Sequence, residues 1–209
     1  MSDLYYLVEK YPDSVPVIMK AIKYSLENGY YDYAGYIIDT YLVNKSLPED
    51  DYEWVKSYIP FLDEYYRTLD RIDTIFSHAE NINDDAEYSL YIINNLKKML
   101  NDKDNINSSV VNYYLGLFEY NTENSINYLM DCYNEDPECF DVRAQLANRY
   151  RRAGDFETAL KFINEALAKD KMDSGALRAM SIIYMLKGEM EKGVEKAREA
   201  YNYYPDGLY

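Results

Sequence analysis

The chain is poor in the residues that carry most chemistry. It has one histidine, two cysteines and one tryptophan in 209 residues. A single imidazole leaves no partner for a zinc site or a histidine relay, and His78 sits in a helix-periodic stretch that reads as structural. Cys132 and Cys139 stand seven apart with no histidine at zinc spacing. Cys139 opens a predicted helix, where the dipole lowers a thiol pKa, but no nearby histidine supports it as a nucleophile. Glycine (8) and proline (6) are scarce, so long structureless loops and a glycine-rich phosphate loop are both excluded. The segment 102–105 (DKDN) lacks the glycine and distal glutamate of a calcium loop. These absences predict no enzyme, no catalytic residue, no metal and no cofactor.

Long apolar runs are also missing. No stretch approaches the ~20 residues of a membrane span, and the first 30 residues are polar and acidic rather than leader-like. A reduced, cytoplasmic setting is the expectation. Asn44-Lys45-Ser46 and Asn107-Ser108-Ser109 match the glycosylation pattern, which in that setting reads as chance.

Positive charge is the last shortage. The net charge is −15, and residues 1–139 hold 10 Lys/Arg against 26 Asp/Glu, whereas residues 140–209 hold 12 against 11. A surface of this sign repels phosphate backbones and anionic membranes, so neither nucleic acid nor membrane is an expected partner. The acidity serves solubility or attracts a basic partner. Paired acids such as Asp50-Asp51 and Asp84-Asp85 fall at predicted helix starts, where the helix dipole accounts for them.

Tyrosine is abundant, with 26 copies, and hydrophobic residues make up 48%. A sizeable core is available. Tyrosine suits half-buried seams between helices and also binding surfaces, and compositional drift produces the same excess. Apolar residues recur at helical spacing throughout and no segment alternates like a strand, which predicts about twelve helices and no sheet. Helices are expected over 4–10, 15–28, 31–44, 48–79 with a break or kink near Pro60, and 84–100. Ser14 is the expected cap of the second, and Asp84 with Glu87 a capping box. The polar run 101–109 is the candidate boundary, giving a region 1–105 and an array 106–209. Helices then pair over 109–120 with 122–134, 139–153 with 155–169, and 174–187 with 189–203. Their short loops force antiparallel hairpins.

Within that array the sequence echoes itself at 34 residues. Leu146, Ala147, Tyr150, Gly154, Ala159 and Ala166 are followed by Met180, Ser181, Tyr184, Gly188, Gly193 and Ala200. A fixed period of this length marks a stacked helical repeat.

Residues 140–173 and 174–207 resemble two tetratricopeptide repeats. Small residues stand at position 8 (Ala147, Ser181), an aromatic at 11 (Tyr150, Tyr184), glycine at 15 (Gly154, Gly188), small residues at 20 (Ala159, Gly193) and alanine at 27 (Ala166, Ala200). Pro205 fills position 32 of the last repeat, where Lys171 departs in the one before. Ser125, Leu129, Cys132 and Pro137 match a third unit with a clipped turn at 120–122 and Leu115-Gly116 at positions 7 and 8. Residues 29–34 (GYYDYA) read as part of a degenerate repeat over 15–48. No motif is visible over 49–101.

The resemblance implies an all-α, right-handed superhelical solenoid of stacked antiparallel hairpins. It implies a protein-interaction scaffold that takes a peptide or partner protein in a concave groove lined by first helices. The family's groove positions fall here on Asp141, Ala144, Asn148, Arg151 and Arg152, then on Gly175, Arg178, Ile182, Met185 and Leu186. Arg151, Arg152 and Arg178 converge near Asn148. Guanidinium forks bind carboxylates bidentately and Asn reads peptide backbone, which suits an acidic segment or a C-terminal carboxylate. The bland alternative pairs these arginines with nearby Asp/Glu. The family's chaperone-tail clamp is not reproduced, since Ala144 and Ala179 replace its Lys and Asn. A different class of function is self-assembly, a homodimer through an uncapped C-terminal end exposing Ile182, Ile183, Met185 and Leu186. Against that, Tyr201, Tyr203, Tyr204, Leu208 and Tyr209 would fold over as a lid. A secretion- or chaperone-type helper is a narrower scaffold.

Overall fold

The computed structural model describes residues 2–43, 45–101 and 106–203. They form α1 (Ser2–Lys10), α2 (Val15–Glu27), α3 (Tyr31–Ile37) continued by a π-helical turn (Ile38–Leu42), α4 (Glu49–Ala79), α5 (Asp85–Asn101), α6 (Ser108–Phe118), α7 (Thr122–Glu135), α8 (Val142–Arg152), α9 (Phe156–Lys169), α10 (Ser174–Leu186) and α11 (Met190–Tyr203). No strand occurs among the described residues. The chain divides into two compact units, Met1–Ser77 with Asp102–Asn107, and His78–Asn101 with Ser108–Tyr209.

In the first unit the tyrosines are packing groups. Tyr31 meets Phe61 and Tyr65 edge-on, at centroid distances of 4.9 and 5.2 Å. The Tyr66 hydroxyl donates to the Tyr31 carbonyl at 3.2 Å. Gly35 makes room for it, because a Cβ there would collide with that oxygen. Burial, then the charges of Asp32 and Asp39, push the Tyr66 phenol up to about 12.

Three expectations for this unit are corrected. The third helix does not run evenly from 31 to 44: it loosens into the π turn at Ile38. Ser14 stands at the start of α2, but its side chain makes no capping bond, and Pro16 in the first turn supplies the start signal instead. α4 continues through Pro60 for 31 residues without a break. Buried Val55, Leu62, Tyr65 and Ile72 anchor it on both sides of the proline. Pro60 and Lys56 are both exposed, so the Lys56 carbonyl that loses its partner is on the side where water can replace it.

The second unit is built from hairpins. In α8/α9 and α10/α11 the first helix ends on a glycine with positive φ, Gly154 at 82° and Gly188 at 81°. The Asp155 amide reaches the Tyr150 carbonyl at 3.0 Å and the Glu189 amide the Tyr184 carbonyl at 2.8 Å. This is the six-to-one closure of a Schellman turn. Gly29, at 74°, closes α2 in the first unit the same way, with the Tyr30 amide on the Ser25 carbonyl at 2.8 Å.

Small residues set the hairpin crossings. Ser125 Oγ donates to the Gly116 carbonyl at 2.6 Å, and Ser181 Oγ to the Gly193 carbonyl at 2.7 Å. The serine and glycine exchange helices between the two hairpins, yet each pair brings the backbones together. A Cβ on Gly116 would overlap Leu129 Cγ. The clipped turn after α6 is the loop 119–121, with Asn121 capping α7 through Asn124 at 3.0 Å.

α8 starts at Val142, three residues later than the sequence predicts. Phe140 takes a left-handed backbone (φ 47°) and packs on Tyr113 with ring centroids 4.7 Å apart. Cys139 therefore lies buried in a turn and not at a helix N-terminus. The capping role of Asp84 holds, with the Glu87 amide bonded to its carboxylate at 2.8 Å. The readings placed on Asn44, on 102–105 and on Tyr204, Pro205, Leu208 and Tyr209 lie outside the described residues.

Candidate functional site

The face shared by α8 and α10 holds a pocket of about 230 Å³. Ala144, Ala147, Asn148 and Arg151 come from α8, Ile163 from α9, and Gly175, Arg178, Ala179, Ile182 and Ile183 from α10. Six of the ten residues read as groove positions, Ala144, Asn148, Arg151, Gly175, Arg178 and Ile182, line this one cavity. Asp141, Arg152, Met185 and Leu186 do not. Arg152 is exposed at the end of α8. Met185 turns toward α11, where its Cγ lies 2.7 Å from the point a Cβ on Gly193 would occupy.

Asn148 and Arg151 are three apart on one face, and the Arg151 guanidinium donates to Asn148 Oδ1 at 2.7 Å. The amide is thus oriented with its NH2 free to turn outward. Among the described residues no carboxylate forms an ion pair with Arg151. The pocket floor is small and apolar, and Ile182, 45% exposed, is its wet apolar wall.

Several acids of this unit have partners away from the pocket. Arg143 binds Glu138 at 3.0 Å and approaches Glu165 at 3.6 Å, Lys169 joins Glu138, and the Tyr133 hydroxyl donates to Glu165 at 2.7 Å. Burial pushes Glu138 up, but hydrogen bonds from Lys169 and Arg143 outweigh it and hold the carboxyl below its ordinary range. Asp141, another groove position, is taken by the Tyr113 hydroxyl and by Gln145 Nε2 at 3.0 Å. Burial first, and then this bond, push the Tyr113 phenol upward.

Arg149 is a cation that the repeat pattern does not single out. Its guanidinium turns away from the pocket and donates to the carbonyls of Gly116 and Leu117 at 3.0 and 3.1 Å, closing the C-terminal end of α6. Burial, then the neighbouring Arg152, lower its pKa. Its place three residues after Leu146 on the buried side is the signal that the sequence offers for it.

His78 is exposed. Cys132 and Cys139 are both buried free thiols, and a hydrogen bond to Cys139 followed by burial pushes the Cys132 thiol well above its ordinary value. Among the described residues no group of three or more His, Cys, Asp or Glu is arranged to hold a metal ion. No helix of the described residues is long and apolar enough to cross a membrane.

No family model and no curated protein matches the sequence. Solved structures do match the fold. A crystal structure of YrrB, described as a TPR protein with an unusual peptide-binding site, aligns with a TM-score of 0.55 at 14% identity, covering 98% of this chain and 94% of that one. A crystal structure of MamA aligns with a TM-score of 0.53 at 16% identity, covering 76% and 96%. A second MamA structure gives 0.53 at 15% identity, with 90% of each chain covered. At these identities the likeness is one of architecture: the chain has the tetratricopeptide-repeat fold.

Proposed function

We propose that this chain is a cytoplasmic protein-interaction scaffold, without catalytic activity, whose α8–α10 pocket takes an acidic peptide segment or a C-terminal carboxylate. The observation that carries the reading is the convergence of Asn148, Arg151, Arg178 and Ile182 on one small cavity. Arg151 and Arg178 provide forked donors for a carboxylate. Asn148 reads the peptide backbone, and Ile182 packs on an apolar side chain of the ligand. Arg152 acts at the rim through its charge. The likeness to a TPR protein with a peptide-binding site supports a peptide as the ligand class.

The test is fluorescence anisotropy with a labelled acidic hexapeptide bearing a free C-terminal carboxylate, beside its amide and a neutral version. Binding by the wild type, weakened at least about tenfold in Arg151→Glu/Arg178→Glu, is expected for loss of two charge-assisted contacts. Equal binding by the double variant would remove the pocket from the account.

A second reading has its own observation. Of the four residues expected at an uncovered end, Ile183 is buried, whereas Ile182, Met185 and Leu186 are 45%, 36% and 56% exposed along α10, a row of apolar groups of the kind that marks self-association. Light scattering decides it: a dimer that Leu186→Glu dissociates supports homodimer formation through this face, and a wild-type monomer rejects it.

A further inference from the structure

The first unit carries a cluster that the groove reading does not use. Tyr5 of α1 lies 5.8 Å from Tyr33 of α3, Tyr33 stacks on Tyr36 at 6.4 Å, and Tyr36 meets Tyr41 edge-on at 6.1 Å. Tyr41 projects from the π turn, a rare distortion that gathers at functional sites, and one that re-aims the last turn of the helix. Glu9 stands one turn beyond Tyr5 on α1. Its carboxylate accepts a hydrogen bond from the Tyr5 hydroxyl, a contact that with its charge pushes that phenol up to about 12. Burial, with smaller contributions from Tyr41, Tyr36 and Glu9, raises the Tyr33 phenol, and a hydrogen bond to Tyr36 followed by burial raises that of Tyr41.

Two features are unexplained by packing. The Tyr33 hydroxyl is buried and has no hydrogen-bond partner among the described residues, a costly state that a native core avoids. No Lys or Arg forms an ion pair with the exposed Glu9 among the described residues. Tyr5 and Tyr36 are 41% and 44% exposed, so the cluster is open to solvent.

Aromatic faces around a carboxylate are the chemistry of cation recognition. The chain already uses part of it next door, where the Lys10 ammonium sits 5.5 Å from the ring centroids of both Tyr6 and Tyr11. The charge balance of residues 1–139 favours a cationic ligand as well. We infer that the contiguous rings of Tyr5, Tyr33, Tyr36 and Tyr41, with Glu9 one turn beyond Tyr5 on α1, form a second binding site that takes an arginine or lysine side chain of a basic peptide segment. The cation sits over the exposed faces of Tyr5 and Tyr36 and against the Glu9 carboxylate. The site differs from the α8–α10 pocket in unit, in charge and in ligand.

Fluorescence anisotropy with a labelled peptide Gly-Ser-Arg-Lys-Arg-Ser-Gly, blocked at both ends, tests it at about 150 mM salt, where the Debye length is about 8 Å. A peptide with three glutamates at the centre is the control probe. Glu9→Gln and Tyr36→Leu should each weaken binding roughly threefold to fivefold, as loss of an exposed cation–π or charge contact does. Glu123→Gln, an exposed carboxylate on α7 of the other unit, removes the same charge and should leave affinity within about twofold. Arg151→Glu/Arg178→Glu should retain basic-peptide binding, which separates this site from the groove. Thermal melts confirm that Glu9→Gln and Tyr36→Leu fold, and either variant alone decides the question. No binding of the basic peptide, or equal weakening by Glu9→Gln and Glu123→Gln, would overturn the site and leave only diffuse attraction by net charge.

Discussion

Glycine and aspartate at the hairpin turns separate two kinds of residue effect. Gly154 and Gly188 have positive φ and open space where a side-chain methyl would stand, while Gly116 has an ordinary backbone and the Leu129 side chain fills that position. Gly154→Ala and Gly188→Ala should each lose about 1 kcal/mol from the left-handed backbone alone, and Gly154→Asn should lose less. Gly116→Ala should lose about 1–3 kcal/mol from overpacking. Urea unfolding of the three alanine variants measures the difference. Asp155 caps α9 through the Thr158 amide and hydroxyl at 3.0 and 2.7 Å, and these bonds hold its carboxyl below the usual range. Glu138 is held low by Lys169 and Arg143 against the effect of burial. For both groups the folded state binds its proton more weakly than the unfolded chain, so their stabilisation is full above about pH 5. It begins to fall as the pH drops through the ordinary carboxylate range near 4 and is lost below the folded values. Urea midpoints recorded from pH 7 to pH 3 should decline less steeply in Asp155→Asn, which keeps an acceptor but cannot titrate, and in Glu138→Gln.

At the scale of elements, α4 carries the clearest cost. Its 31 residues pass through Pro60, so one backbone bond is missing in the middle of an otherwise complete ladder. Pro60→Ala should raise stability by about 1–3 kcal/mol, since the lost bond and ring clash together cost about 3 kcal/mol and exposure to water returns part of it. A rise in the urea midpoint without a change in slope would show it; no rise would mean that the unfolded-state restriction by proline balances the helix term. Periodicity identifies this segment as helical and locates the proline. It cannot weigh one local defect against the buried contacts of Val55, Leu62, Tyr65 and Ile72, because those depend on what lies opposite. The same limit applies to α8. The spacing of Leu146, Ala147 and Tyr150 marks the helix, but its first turn is displaced by Phe140, whose left-handed backbone is tolerated because its ring packs on Tyr113 and Tyr114.

For the whole molecule, the net charge of −15 acts on every charged ligand at long range, while Arg151 and Arg178 act only near the pocket. Salt screens the first effect more than the second. Between about 50 and 150 mM salt the affinity for the basic probe should fall several-fold, whereas that for the acidic probe should change by less than about twofold, as screened repulsion offsets screened attraction. Parallel anisotropy titrations at the two salt levels check this. A steep loss for the acidic probe would mean that its attraction is spread over many cations and not concentrated at the α8–α10 pocket.

Much of this protein is written locally in its sequence. The glycines at 29, 154 and 188, the small residues at 116, 125, 147, 159, 181 and 193, and the apolar spacing between them name a tetratricopeptide-repeat fold, because each acts through its own backbone or through a neighbour at fixed separation. The repeat register by itself also puts Asn148, Arg151, Arg178 and Ile182 on one face. Only the tertiary structure decided which groove positions share a cavity, sending Met185 toward α11 and leaving Arg152 exposed at the end of α8. It alone turned Arg149 into a cap for α6, loosened α3 into a π turn and brought Tyr5, Tyr33, Tyr36 and Tyr41 into a row of ring contacts. Those outcomes depend on contacts between segments distant in the chain, and a side chain's partner across such a gap is fixed by packing, which no local pattern encodes.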